Sequence, residues 1–431
     1  MKTLLRIFLL LCPLGAFASE SVTLDVALAT AQARRVPVLI DFHAPWCYSC
    51  YYMARNVLTG AEWRRVEQGS VVVALDADSP EGAAVMKQWH IKALPSYLVL
   101  DPSGRELGRI LGEQTRRDFY ARLGDITRAT ALDPLAARVR DGGKASVSAG
   151  RQVLRSYHAR YDAAGAEAWL AQLPAAARAA LERDGDSVLL LRRLDLLRAV
   201  ERKDNDACLV AGEAVLAGDL VCERPYELDK VLACAEGLPA EERQRRLAPQ
   251  RAAMDRLVEQ RVFGRKAQAC ADERSVVLSA ADLYQALGDG EAEKKVLSRA
   301  VAAVDKRLAG DFKKDRNQAD NLRVYLDRAG QTEALDALYP RLIAAYPDDY
   351  VYPFRYGKSL LARGKAAEAL PFLEQAAPKA YGVNRLKVAE QRVKALQALQ
   401  RGDEARKVVA EALQANGPWF PEDAAKLKGL L

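Results

Sequence analysis

The run Val36-Pro37-Val38-Leu39-Ile40-Asp41-Phe42, followed by His43-Ala44-Pro45-Trp46-Cys47-Tyr48-Ser49-Cys50, constrains this 431-residue chain more than any other segment. An apolar, β-branched run of that length predicts a buried strand, and Pro37 is tolerable because it falls near the strand's start. The strand enters a Cys-X-X-Cys turn, and Tyr52, Met53, Asn56 and Val57 carry the chain on as a helix. A cysteine at a helix N-terminus faces backbone N–H groups and the positive end of the dipole, which favours its thiolate. Two intervening residues let Cys50 reach back to Cys47, so a mixed disulfide formed at Cys47 can be resolved internally. A zinc site and an inert disulfide are the competing readings. Zinc needs further ligands, and His43 is the only local one. No metal and no organic cofactor is expected.

The first 18 residues read as an export signal. Lys2 and Arg6 precede the short apolar stretch Ile7 to Leu14, and Ala16-Phe17-Ala18 offers the small residues needed for cleavage before Ser19. Leu11 is too large for the position before Cys12 in a lipoprotein signal, which makes that reading the minor one. Removing Lys2 and Arg6 takes the formal charge from +7 to +5. The excess is spread along arginine-rich helices and alternates with Glu and Asp, so no nucleic-acid partner is expected. In an oxidising, periplasm-type compartment the six mature cysteines can be catalytic or structural disulfides.

Strands and helices alternate up to about residue 130. A helix is expected around Asp25 to Arg34, with further strands at Val71 to Leu75 and Tyr97 to Leu100. Asp101-Pro102-Ser103-Gly104 turns the last of these into a hairpin with Glu106 to Leu111. Together these imply an α/β domain over residues 19–130. The strand signals then stop, and Asp133-Pro134 and Asp141-Gly142-Gly143 are the candidate linker. Residues 131–275 read as a helical linker or repeat region. Residues 276–431 carry degenerate helix-turn-helix phrases, with Gly330 and Gly364 spaced 34 apart. Those phrases, with Gly357, Ala369 and Ala376 where paired helices approach closely, resemble the tetratricopeptide family. A generic helical bundle is the alternative. Tyr352 and Trp419 are expected to pack repeats and His43 and His90 to be packing or surface residues, while His158 has no partner motif.

The Trp46-Cys47-Tyr48-Ser49-Cys50 segment and Ile91-Lys92-Ala93-Leu94-Pro95-Ser96 together resemble the thioredoxin superfamily over residues 20–126. The resemblance implies a cis-proline at Pro95 bordering the substrate groove, with the Leu94 backbone pairing to an extended substrate and the Trp46 ring lining the groove. Asp41, six positions before the first cysteine, matches the family's buried acid, expected to accept the proton of Cys50 through water. The chain departs from the common pattern in Tyr48-Ser49 between the cysteines, in Tyr51 where lysine is frequent, and in Ala74 where a lysine often accompanies the acid. Its pattern is closer to thioredoxin-like domains of periplasmic reductant pathways, including the C-terminal domain of the membrane electron conductors.

The expected function is thiol–disulfide exchange on protein thiols and disulfides through Cys47, Cys50 and Asp41, with a membrane electron-donor protein as a partner. The helical repeats are expected to recruit a protein or peptide on an extended concave surface. A redox-sensing scaffold without turnover is the alternative. The remaining cysteines are expected to form structural disulfides. An antiparallel hairpin closed around Pro225 brings Cys208 and Cys234 to nearly the same level, leaving Cys222 for Cys270. Buried free thiols are the competing reading.

Overall fold

A computed structural model describes residues 23–128 and 131–431. The expected signal segment, with its cleavage after Ala18, lies outside the described residues. The first domain runs α1 (Leu24–Arg34), β1 (Val38–His43), α2 (Tyr48–Asn56), α3 (Gly60–Gly69), β2 (Val71–Asp76), α4 (Pro80–Gln88), β3 (Ser96–Leu100), β4 (Glu106–Leu111) and α5 (Arg116–Thr127). Its sheet has the order β2-β1-β3-β4, with β1 parallel to β2 and antiparallel to β3. The alternation of side chains along β1 divides the core. Val38, Ile40 and Phe42 pack with α1 and α4, while Leu39 packs with Met53, Tyr97 and Phe119 beneath α2 and α5. Asp41 shares the parity of Leu39 and is the register partner of Tyr97 on β3, which sets it on the α2 side of the sheet.

All remaining elements are helical: α6 (Leu132–Ala136), α7 (Lys144–Ala159), α8 (Ala163–Ala171), α9 (Ala175–Leu181), α10 (Gly185–Glu201), α11 (Asn205–Leu216), α12 (Arg224–Ala235), α13 (Ala240–Leu247) and α14 (Arg251–Leu257). They continue as α15 (Glu273–Ala286), α16 (Gly290–Leu308), α17 (Arg316–Arg328), α18 (Thr332–Ala345), α19 (Val351–Ala362), α20 (Ala366–Ala376), α21 (Val383–Ala398), α22 (Gly402–Asn416) and α23 (Pro421–Lys428). The phrases at Gly288, Gly330, Gly364 and Gly402 are the turns and starts of four consecutive helix pairs, α15–α16 to α21–α22. Close approach within a pair is visible at Gly357, where an added Cβ would stand 2.6 Å from Leu373. No helix among the described residues is long and apolar enough to cross a membrane.

Two expectations are corrected. Asp133-Pro134 is not a linker: both residues lie in α6, where a proline in the first turn removes only an N–H that has no intrahelical partner. Trp419 does not pack repeats; it follows α22 in the short connection to α23 and is 64% exposed. His158, without a partner motif in the sequence, meets the buried Glu227 of α12 at 3.7 Å.

In the hairpin α11–α12, Cys208 is bonded to Cys234 with a Cα–Cα separation of 6.4 Å, and Cys222 is bonded to Cys270 at 5.5 Å. Cys208 is buried one turn from Gly212, which packs against Val231 of the facing helix. Replacing both Cys208 and Cys234 by alanine should destabilise the helical region by roughly 2–4 kcal/mol, because the unfolded chain loses a closed loop. Urea unfolding followed by far-UV circular dichroism reads this, and an unchanged midpoint would exclude a structural role for the bridge.

Candidate functional site

Cys47 is the N-cap of α2, its Sγ accepting the Cys50 N–H at 3.1 Å. The two sulfurs are bonded to each other, and little of either residue reaches solvent, 4% for Cys47 and 9% for Cys50. Ala44, Ala77 and Leu94 pack around the pair. The Leu94–Pro95 peptide is cis, and it follows Leu94 directly into β3. The Trp46 indole Nε1 donates to Asp78 at 2.7 Å while 37% of the residue stays exposed, so the ring is fixed beside the sulfurs with one part open.

Asp41 lies under this turn. Burial pushes its carboxyl up to about 7. Its register partner on β2 is Ala74, which supplies no cation to hold it ionised. A carboxyl in that range can both take up and release a proton near neutrality.

Glu113 was not among the expected site residues. It follows β4 in the loop that meets α2, where the Gln114 N–H donates to the Met53 sulfur at 3.3 Å. Glu113 is buried, its Oε2 has no hydrogen-bond partner, and burial holds its carboxyl well above the usual range, with Asp272 adding to the rise and a hydrogen bond to Ser49 opposing it. Gly112-Glu113-Gln114 reads locally as a polar surface turn. Helical-domain residues act on it there, Asp272 raising its carboxyl and Arg274 lowering it.

That packing accounts for the departures from the common pattern at Tyr48 and Tyr51. The Tyr48 carbonyl accepts from Asn317 Nδ2 at 3.0 Å, its ring lies 3.5 Å from the Arg274 guanidinium, and its hydroxyl faces Asp272 at 3.5 Å. Arg316 stacks on Tyr51 at 4.3 Å, and Arg355 donates to the Trp46 carbonyl at 3.0 Å. On the Asp78 side, the Val383 N–H donates to the Asp78 carbonyl at 3.1 Å, and the preceding Gly382, at φ 52°, leaves no room for a Cβ against that oxygen. Residues at or near the N-termini of α15, α17, α19 and α21 thus converge on the redox turn. The far edge of the sheet is held as well: buried Glu106 of β4 pairs with Arg109 at 2.7 Å and meets Ser156 and Arg160 of the α7 region at 3.0 and 3.6 Å. Helices of the repeat region therefore hold the chain's own first domain.

Strand order, a disulfide capping α2 and an acid beneath it define a dithiol redox domain of thioredoxin type. Residues 18–102 match the thioredoxin-like family. Relatives are thiol:disulfide interchange proteins. DsbD of Cronobacter sakazakii is 31% identical over 26% of this chain and 20% of its own length. The TxlA homolog of Synechocystis is 32% identical over 26% of this chain and 58% of its own length. The chain thus spans about a fifth of the length of the DsbD relatives it matches. A thioredoxin from Thermus thermophilus is 30% identical over 24% of this chain and 83% of its own, with a TM-score of 0.23. A tetratricopeptide repeat protein from Parabacteroides merdae is 15% identical over 66% of this chain and 98% of its own, with a TM-score of 0.39.

Proposed function

We propose that this chain is an exported thiol–disulfide oxidoreductase acting on protein substrates in a periplasm-type compartment, with its redox domain over residues 19–130. The observation that carries the reading is the Cys47–Cys50 disulfide at the N-terminus of α2, above an acid pushed up to about 7. In this reading Cys47 attacks a substrate disulfide as thiolate, Cys50 resolves the mixed disulfide, and Asp41 accepts the Cys50 proton. Trp46, Leu94 and Pro95 border the groove in which an extended substrate lies. Reducing equivalents come from a membrane electron-donor protein, a partner class suggested by the interchange relatives. The helical repeats hold the redox head, and a protein partner approaches along the open side of Trp46.

Turnover tests this directly. The full chain with dithiothreitol should accelerate insulin precipitation severalfold over dithiothreitol alone, and Cys47→Ser should abolish the acceleration. A redox-sensing scaffold is favoured by one observation, the clasp of the helical domain on the turn. Reversible oxidation of Cys47–Cys50 without acceleration would select it.

A further inference from the structure

Asp320, fully buried on α17, binds three guanidinium groups: Arg274 at 2.8 Å, Arg323 at 2.8 Å and Arg355 at 2.6 Å. Its carboxyl is held far below the usual range despite its burial, chiefly by Arg323, Arg355 and Arg274. Two of the three arginines also reach the redox turn. Arg355 donates to the Trp46 carbonyl, and Arg274 lies over the Tyr48 ring. Trp46 and Tyr48 are the residues immediately before and after Cys47. A contact that served only to join two domains has no reason to converge on both neighbours of one sulfur.

We propose that Arg274 and Arg355, anchored on Asp320, are positioning residues of the redox site: they fix the peptide on both sides of Cys47 and hold positive charge beside its sulfur. The inference rests on thiol–disulfide exchange at Cys47. The helical domain then completes the active site, and the reactivity of Cys47 depends on it.

Other charges face the same turn. Asp272, at the cap of α15, faces Tyr48, and Asp78 faces Trp46; both oppose the arginines. Asp76 meets the Tyr381 hydroxyl, and Arg316 adds a cation over Tyr51 while pairing with Asp349. Asp41 and Glu113 lie beneath α2, both displaced toward the neutral form by burial. Whatever the balance among them, deleting one guanidinium removes positive charge from the residues flanking Cys47, so its thiolate should become harder to form. Asp320 keeps two arginines in either single variant and is not left unpaired.

The test uses the full chain carrying Cys50→Ser, with iodoacetamide alkylation of Cys47 followed across pH by the mass of its peptide. Arg355→Gln and Arg274→Gln should each raise the alkylation midpoint by about 0.5–1 pH unit, a roughly three- to tenfold loss of thiolate below the midpoint. Arg323→Gln removes a charge that pairs with Asp320 and Tyr339, and should move the midpoint less. Arg355→Lys keeps charge but cannot span Trp46 and Asp320 with a planar fork, and should fall between wild type and Arg355→Gln. It also serves if a glutamine variant does not fold. With Cys50 restored, equilibration against glutathione should shift severalfold toward the disulfide in both glutamine variants. Midpoints equal to wild type in every variant would overturn the inference. A wild-type Cys47–Cys50 pair that neither equilibrates with glutathione nor reduces insulin would instead overturn the functional reading beneath it.

Discussion

In the Cys50→Ser chain, protein substrates should accumulate as mixed disulfides on Cys47, whereas Cys47→Ser should lower exchange to the uncatalysed rate and capture none. The asymmetry follows from where the two sulfurs sit. Cys47 caps α2, where unpaired N–H groups and the helix dipole stabilise a thiolate. Cys50 lies one turn inside the helix and acts by reaching back to Cys47. Reduced wild-type chain should accordingly be alkylated at Cys47 well before Cys50 near neutral pH. Non-reducing electrophoresis with mass spectrometry of the trapped species reads the first result. Capture through Cys50 in the Cys47→Ser chain, or equal alkylation of both thiols, would reverse the assignment.

The Asp41→Asn chain should resolve mixed disulfides more slowly and be more stable above neutral pH. The kinetic part follows from the proposed role of Asp41 as acceptor of the Cys50 proton. General-base contributions are about 10²–10⁴-fold, and less where a water relays the proton. In the wild type the resolution rate should rise as pH passes through about 7, where Asp41 becomes a carboxylate, and the variant should lack that inflection. The stability part has the opposite sign. Burial raises the folded carboxyl from 3.8 to about 7, so folding takes up a proton between those values. The favourable contribution is complete below about pH 4 and is lost as pH rises through about 7, at most about 4 kcal/mol across the window. Asparagine carries no such charge, so its urea midpoint should be flat across that range and exceed the wild-type midpoint above it. Stopped-flow resolution rates and pH-dependent urea unfolding measure the two halves. A variant with unchanged resolution and a wild-type stability profile would show that Asp41 neither relays the proton nor bears charge in the buried site.

The amino-acid sequence by itself determined the parts of this protein whose causes are local. The apolar run Val38–His43 forms β1 because its branched side chains fill both faces of the sheet, and Cys47 caps α2 two residues after Pro45, which follows the strand. The turns around Gly330 and Gly364 divide helices of regular apolar period, so the helix pairs were legible as well. The hairpin geometry around Pro225 likewise led to Cys208 and Cys234 as facing residues, and the structure bonds them. What only the tertiary structure decided is everything that joins the two domains. Tyr48 meets Asp272 across 224 residues and Asn317 across 269, and Trp46 meets Arg355 across 309. No periodicity or spacing connects such positions, and each partner arginine reads in its own helix as one more solvated charge. Their meeting depends on four helix pairs stacking so that the starts of α15, α17, α19 and α21 reach one turn. Glu113, a polar turn residue by its local sequence, is buried in the fold, because burial is a property of what covers a residue rather than of the residue itself.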